Sequence, residues 1–169
     1  MKRAVQKIRL ISDRAFWRRP LSERVRHLRL AAFAAILVGI VGASWSWKLL
    51  QWYISANTLL YCVLGSQCPA VFASASSYFY KIPIHVLAVG WFSIMTVIAA
   101  ATAYGVRGVS RIGLLLGALC VPVIIYLDYV QLEVIHAICS DCELAHLLGL
   151  VLFVLFVVIH RAERKTTKR

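Results

Sequence analysis

The sequence predicts an all-α membrane protein: a four-transmembrane-helix bundle with an outer loop between spans one and two. Of the 169 residues, 61% are hydrophobic and 15% are charged. The charges leave long uncharged runs, which is the pattern of membrane-spanning helices. The basic residues collect on one side of those runs. This composition excludes a soluble globular domain and, away from the chain ends, intrinsic disorder.

Four segments have the length of about 20 apolar residues that a helix needs to cross hydrocarbon. We place the transmembrane domain at 29–160, with spans at about 29–49, 82–104, 112–135 and 141–160. Another uncharged stretch, 49–80, contains Pro69 and several serines, and its backbone groups could not all be paired in lipid. We therefore expect an outer loop at about 50–81.

The basic residues predict the orientation of the bundle. Of 19 lysines and arginines, 17 lie before span one, between spans two and three, or after span four. By the positive-inside rule both termini are cytoplasmic and the loop faces outward. We expect the basic segment 1–28 to lie on anionic lipid headgroups and 161–169 to form a basic cytoplasmic tail. Membrane lipids are the expected partners of this charge, and nucleic acid is not.

Four cysteines face the outer side in this topology, two in the loop and two at the start of span four: Cys62, Cys68, Cys139 and Cys142. A C-x-x-C pair at a helix start places both sulfurs on one face, and the helix N-terminus lowers a thiol pKa. A loop pair can meet a partner from solvent, while an embedded pair can meet a lipid-soluble oxidant. Together the pairs predict an electron relay by thiol–disulfide exchange. The fifth cysteine, Cys120, lies within span three and is interpreted as a buried apolar residue.

Three other interpretations remain open at this point. The cysteines could form structural disulfides in a non-catalytic membrane module. His85 and His146 could ligate a haem. Four further candidates for a metal share one helical face: His136, Cys139, Cys142 and His146. On a straight helix those four cover ten positions, about 15 Å, which is too long for one ion. We therefore expect no metal site.

The arrangement of these residues resembles the vitamin K epoxide reductase family over about 49–160. The matching positions are Cys62-x5-Cys68, Val71, Phe72, Ser74, Tyr80, Ile82, Pro83, Gly90 and Cys139-x-x-Cys142. The run His-Ala-Ile-Cys at 136–139 and the following His146 are similar to its prokaryotic, especially archaeal, branch. The family usually has glycine at the position of Lys81.

The resemblance implies a four-helix bundle around a quinone of the menaquinone, ubiquinone or phylloquinone type, with a short loop helix at about 69–79. It implies that Cys62 exchanges disulfides with a thioredoxin-fold partner and that Cys68 passes electrons to Cys139. Cys142 would then face the quinone ring.

Three polar side chains complete the candidate site. The resemblance implies that Ser74 assists from beside Cys139 and that His146 hydrogen-bonds a quinone carbonyl. His85, at the same face of the membrane, is a further quinone-binding candidate. The predicted protein is a quinone-dependent, disulfide-generating oxidoreductase of a prokaryotic plasma membrane. The alternatives are a vitamin K epoxide or quinone reductase of vitamin K recycling and the non-catalytic module.

Overall fold

Four long helices form the structure, a computed structural model that describes residues 23–54, 67–106 and 108–167. They are α1 (Glu23–Ile54), α3 (Ile84–Ala103), α4 (Val109–Tyr129) and α5 (Ser140–Thr167). A π-helical segment, Val130–Ile135, continues α4. Each of the four is long and apolar enough to cross a membrane. The predicted four-span helical bundle is thus confirmed.

The helix ends differ from the predicted spans. The first helix runs from 23 to 54 rather than from 29 to 49, and the last continues past Arg161 to Thr167. The prediction used charges as boundaries. A helix pairs its backbone groups internally, so charged side chains mark the edge of the lipid but not the end of the helix. Helix α1 accordingly extends to Ile54, into the segment expected at about 50–81 as outer loop.

The loop returns to the bundle through a short helix and a hairpin. Helix α2 (Cys68–Ala73) begins with Pro69, whose fixed φ suits the first turn. A 3-10 turn (Ala75–Ser77) and strands β1 (Tyr78–Phe79) and β2 (Ile82–Pro83) follow. The strands pair antiparallel through a tight turn in which Tyr80 and Lys81 have φ of 47° and 69°. Such left-handed angles favour glycine, which accounts for the glycine usual in the family at Lys81.

Helix α2 is shorter than the helix expected at 69–79. It ends at Ala73, and Ser74 takes an extended conformation with ψ of 149°. The hydroxyls of Ser74 and Ser77 both donate to the carbonyl of Val71, at 2.7 and 2.5 Å. The two hydroxyls bond a carbonyl that a continued helix would use for a backbone N–H. Serine competes with helix formation in this way.

Close helix packing in the bundle depends on small residues. Helix α1 packs against α3 and α5, and α4 packs mainly against α5. Gly42 of α1 faces the ring of Phe92, and Gly113 of α4 faces the ring of Phe156, each so closely that a methyl group would overlap the ring. The buried core comprises Ala32, Ala35, Phe92, Met95, Ile98, Ala99, Leu152, Phe156 and Ile159. Glycine and alanine let membrane helices approach closely enough for such side chains to interlock.

The outer surface of the bundle is apolar. Leu37, Val97 and Leu115 are each 65–67% exposed, and many other large apolar side chains on the four helices are also exposed. Such a surface would associate in water but is well solvated by lipid tails. With four helices of spanning length, it identifies the chain as an integral membrane protein.

The bundle has two distinct ends. At one end α1 finishes, α3 and α5 begin, and Cys68 of α2 meets Cys139, which lies just before α5; we call this the cysteine end. At the opposite end Ser110 donates to a carboxylate oxygen of Glu163 and lies 3.1 Å from His160 Nδ1. The second Glu163 oxygen accepts the Gly108 N–H at 2.8 Å, just before α4 begins. These contacts fix the start of α4 to α5.

Candidate functional site

Two long-range hydrogen bonds hold the cysteine end together. The N–H of Gln67, just before α2, donates to the carbonyl of Ile138 at 3.1 Å. The indole N–H of Trp45 in α1 donates to the carbonyl of Asp141 in α5 at 3.0 Å. Together they join the short helix, the first span and the start of the fourth span. The cysteines that these elements carry are therefore held in fixed positions.

Cys139 is the residue immediately before α5 and caps that helix. Its carbonyl accepts the N–H of Glu143 at 3.0 Å, and its sulfur accepts the N–H of Cys142 at 3.3 Å. A capping side chain normally supplies an oxygen for this N–H. The N–H of Cys139 itself donates to the side-chain oxygen of Gln131 at 2.8 Å. Cys139 is thus held by hydrogen bonds to its backbone and to its sulfur.

The sulfur of Cys139 also contacts Cys68. The two Sγ atoms lie 2.7 Å apart, and the residues are 0% and 1% exposed. Cys142, one turn into α5, is partly buried. Cys139 therefore contacts both of the other cysteines, Cys68 through its sulfur and Cys142 through the capping bond. This arrangement allows one sulfur to attack the next without a change of fold.

The pKa of Cys139 differs from the sequence expectation. A helix N-terminus lowers a thiol pKa, but hydrogen bonding to Cys142, followed by burial, raises the pKa of the Cys139 thiol in this structure. The expectation counted the helix dipole and omitted the neighbouring thiol and the loss of water. The reduced Cys139 is therefore held as a protonated thiol.

A cleft of about 50 Å³ opens beside Cys142. Its walls come from α2, the 3-10 turn, α3, α4, the π-helical segment and α5, and they are mainly apolar. An enclosed cavity that takes a benzene ring has about 150 Å³. A six-membered ring would therefore lie in the open side of this cleft, against its apolar walls. A haem macrocycle is much larger than this cleft, which His85 and His146 both line, and this disfavours haem ligation by the pair.

His85 forms one wall of the cleft. It is 4% exposed, and neither ring nitrogen has a hydrogen-bond partner among the described residues. Its ring stacks on Tyr53, with centroids 5.7 Å apart, and meets Phe72 edge-on at 4.9 Å. A buried unpaired nitrogen costs about 1–3 kcal/mol. This histidine is therefore suited to receive a polar group of a molecule in the cleft.

His146 lines the other side of the cleft and contacts two acids. Its Nδ1 lies 2.6 Å from Asp128 and 3.8 Å from Glu143. Glu143 also accepts the side-chain N–H of Gln131 at 2.9 Å. Gln131 therefore links this group to the N–H of Cys139. The polar network therefore runs from the cleft to the backbone N–H of Cys139.

The histidine and the two acids of this group are also candidates for metal ligands. Asp128, Glu143 and His146 each bring a ligand atom within 4.8 Å of the others. The 2.6 Å contact of His146 with Asp128 is an ion-pair distance, and the positive helix start beside Glu143 disfavours a cation. The metal set weighed from the sequence does not assemble either. His136 lies before α5 with φ of 52°, and its Nδ1 is 3.0 Å from the Leu132 carbonyl.

Six of the seven predicted site residues lie in this region of the structure: Cys68, Ser74, His85, Cys139, Cys142 and His146. The seventh, Cys62, lies outside the described residues. Ser74 lines the cleft with Cys142, and its hydroxyl bonds the Val71 carbonyl and lies 3.4 Å from Ser77. Sequence reasoning gave no role to Asp128 and Gln131. An acid within an apolar span, such as Asp128 in α4, is itself a sign of a functional site.

Comparison with known proteins agrees with this geometry. A family model described as "Vitamin K epoxide reductase family" matches residues 30–157, which is most of the chain. No curated protein and no solved structure matches. The matched segment contains most or all of each of the four spans and includes the cysteine end. The chain belongs to the vitamin K epoxide reductase family and is a membrane thiol oxidoreductase.

Proposed function

We propose that the protein relays electrons from a thioredoxin-fold partner through two cysteine pairs to a membrane quinone, and so drives disulfide formation. The observation that carries the proposal is the 2.7 Å contact between Cys68 and Cys139, with Cys142 following at the cleft. A relay needs each sulfur within reach of the next. Cysteines that only formed structural disulfides would need no cleft beside Cys142.

The exchange steps follow from this order. Cys62 would meet the partner, and Cys68 would attack the Cys139 sulfur of the oxidised C-x-x-C pair. Cys142 would then leave with the electron pair, next to the cleft. Cys62 would attack Cys68, form the Cys62–Cys68 disulfide and release Cys139 as a thiol. Cys139 and Cys142 would then form their disulfide again, giving two electrons and two protons to a quinone held at the cleft, so that one substrate disulfide yields one quinol. The capping N–H of Cys142 holds Cys139 in line for these exchanges.

The cleft suits a quinone ring in three respects. Its walls are mainly apolar, which matches the ring faces. His85 and His146 stand on the walls as groups for the carbonyl oxygens. Ser74 shares the cleft with Cys142, and we propose that its hydroxyl assists the exchange there.

We further propose that the cysteine end faces the outside of a prokaryotic plasma membrane and that both termini are cytoplasmic. The support is that 17 of the 19 basic residues lie toward the opposite end or in the terminal segments. The partner would therefore approach in an oxidising compartment. Disulfides made there persist.

Quinone reduction by the purified protein tests the proposal. A reduced thioredoxin-fold protein should reduce a menaquinone or ubiquinone analogue, with one quinol formed for each partner disulfide. The matched control is Cys120→Ser, which removes a cysteine within α4 and should leave the rate unchanged. Consumption of a quinone epoxide in place of the quinone would favour vitamin K recycling. No reaction with either would favour the non-catalytic module.

A further inference from the structure

Asp141 is a buried acid beside the reacting sulfurs. It lies in the first turn of α5 and is 2% exposed. Its Oδ2 accepts a hydrogen bond from the thiol of Cys68 at 3.6 Å, a normal length for a sulfur donor. An acid in a first turn stabilises the helix dipole equally well at the surface. Burying it against a cysteine costs desolvation that the dipole does not require.

The hydrogen bonds between these side chains form a chain that ends at Asp141. The Cys139 thiol donates to the sulfur of Cys68, and the Cys68 thiol donates to Asp141. A thiol attacks a disulfide only after losing its proton, since the thiolate is the nucleophile. The carboxylate of Asp141 is placed to receive that proton.

We propose that Asp141 is a catalytic residue, the general base for Cys68. The proposal rests on the function proposed above. As the Cys68 sulfur attacks Cys139 in the Cys139–Cys142 disulfide, its proton passes to the Asp141 carboxylate. The Cys68–Cys139 bond forms, the Cys139–Cys142 bond breaks, and Cys142 leaves as the thiolate. Electrons are conserved, and the proton rests on Asp141.

The titratable groups around Asp141 come from three neighbouring elements. Helix α2 brings Cys68, and the segment before α5 brings Cys139. Helix α1 brings Trp45, with the Nζ of Lys48 lying 5.7 Å from the Trp45 ring. On α5 itself, Cys142 and Glu143 follow in sequence. Glu143 is bonded to Gln131 and lies near His146.

The test measures the first exchange step in the full-length protein carrying Cys62→Ser, which prevents later resolution. The protein is oxidised so that Cys139 and Cys142 are bridged, and excess maleimide then captures Cys142 as it is released. Peptide mass mapping checks that the Cys68–Cys139 bridge forms at the same rate as Cys142 is released. The rate is followed from about pH 6 to about pH 8, the range in which a thiol of ordinary pKa is mainly protonated.

With Asp141 as base, the rate should rise much less than tenfold per pH unit. Asp141→Asn should slow release by about ten- to a hundredfold near pH 7, because only a few per cent of a thiol of ordinary pKa is thiolate at that pH. The rate of Cys142 release in the Asp141→Asn variant should then rise about tenfold per pH unit, because only the thiolate form of Cys68 reacts. Asp141→Glu should restore the shallow dependence. Glu133→Gln, which removes an exposed acid at the same end, should behave like the parent.

Equal rates and slopes for Asp141→Asn and the parent would overturn the proposal. If the Asp141→Asn variant does not fold, the pH dependence of the parent rate is the test. A tenfold rise per pH unit in the parent would refute the role of Asp141 as a base. A parent that never releases Cys142 at any pH would instead refute the relay, a result distinguishable from loss of the base alone.

Discussion

The two ends of the bundle carry similar polar side chains but connect them differently. At the opposite end, Ser110 is fully buried and lies between His160 and Glu163, and none of these three residues lines the cleft beside Cys142. At the cysteine end, His146 contacts its carboxylate directly and also lines a cleft. A hydroxyl, a histidine and an acid therefore do not make a site by themselves. The order of contacts and access to a ligand separate a structural cluster from a reactive one.

The largest effect should come from removing the central sulfur of the cysteine end. Cys139→Ser should lower quinone reduction by at least about a thousandfold, because one residue joins both exchange steps. Turnover with a reduced thioredoxin-fold partner measures this, and Cys120→Ser provides the control. A variant that keeps more than a tenth of the parent rate would contradict the relay.

At the opposite end the effect should fall on stability. Ser110→Ala removes the buried hydroxyl between His160 and Glu163 and should lower the free energy of unfolding by about 1–3 kcal/mol, with kcat unchanged. Ser93→Ala is the matched control, since that exposed hydroxyl bonds only Val89 of its own helix. Denaturation in detergent measures both. Equal stabilities would show that the cluster does not hold α4 to α5.

A histidine exchange compares the two ends directly. His85→Phe keeps a ring between Tyr53 and Phe72 but removes the unpaired nitrogens, so the quinone KM should rise about tenfold while stability is kept or raised. His160→Phe should leave KM unchanged and lower stability, because its Nδ1 is 3.1 Å from Ser110. Steady-state kinetics and melting curves give both quantities. An unchanged KM for His85→Phe would remove that residue from the quinone site.

The smallest expected effect is in the hairpin. Lys81 has φ of 69°, a conformation that costs a non-glycine residue about 1–2 kcal/mol. After the entropy cost of glycine, Lys81→Gly should stabilise the protein by about 0.5–1 kcal/mol. Unfolding measurements test this, and activity should not change. A loss of stability would indicate that Lys81 makes contacts that outweigh its strained backbone.

The sequence alone predicts the spans well, since hydropathy and basic charge reflect the solvent around each helix. The cysteine spacing predicts two pairs in a relay, and the family resemblance adds the meeting of Cys68 with Cys139 that the structure contains. The sequence does not predict that α2 ends at Ala73, because serine hydroxyls bonding the Val71 carbonyl depend on local geometry.

Nor does the sequence predict the raised pKa of Cys139 or the contacts of Gln131 and Asp141. These depend on which side chains the fold buries together, and a residue pattern does not report burial. Asp141 illustrates this best. In the sequence it is an acid near a helix start, and in the fold it is the acceptor for the Cys68 thiol.

Trapping the order of sulfur exchange tests the cysteine relay itself. Cys62→Ser protein is oxidised with quinone so that Cys139 and Cys142 are bridged, and Cys68→Ser protein is mixed with an oxidised thioredoxin-fold partner; both are quenched in acid and mapped by peptide mass. The relay predicts a Cys68–Cys139 bridge in Cys62→Ser, because no thiol remains to resolve it, and a Cys62–partner adduct in Cys68→Ser. Cys120→Ser should show neither species. Absence of both trapped species, with only a loss of stability in the variants, would contradict the account.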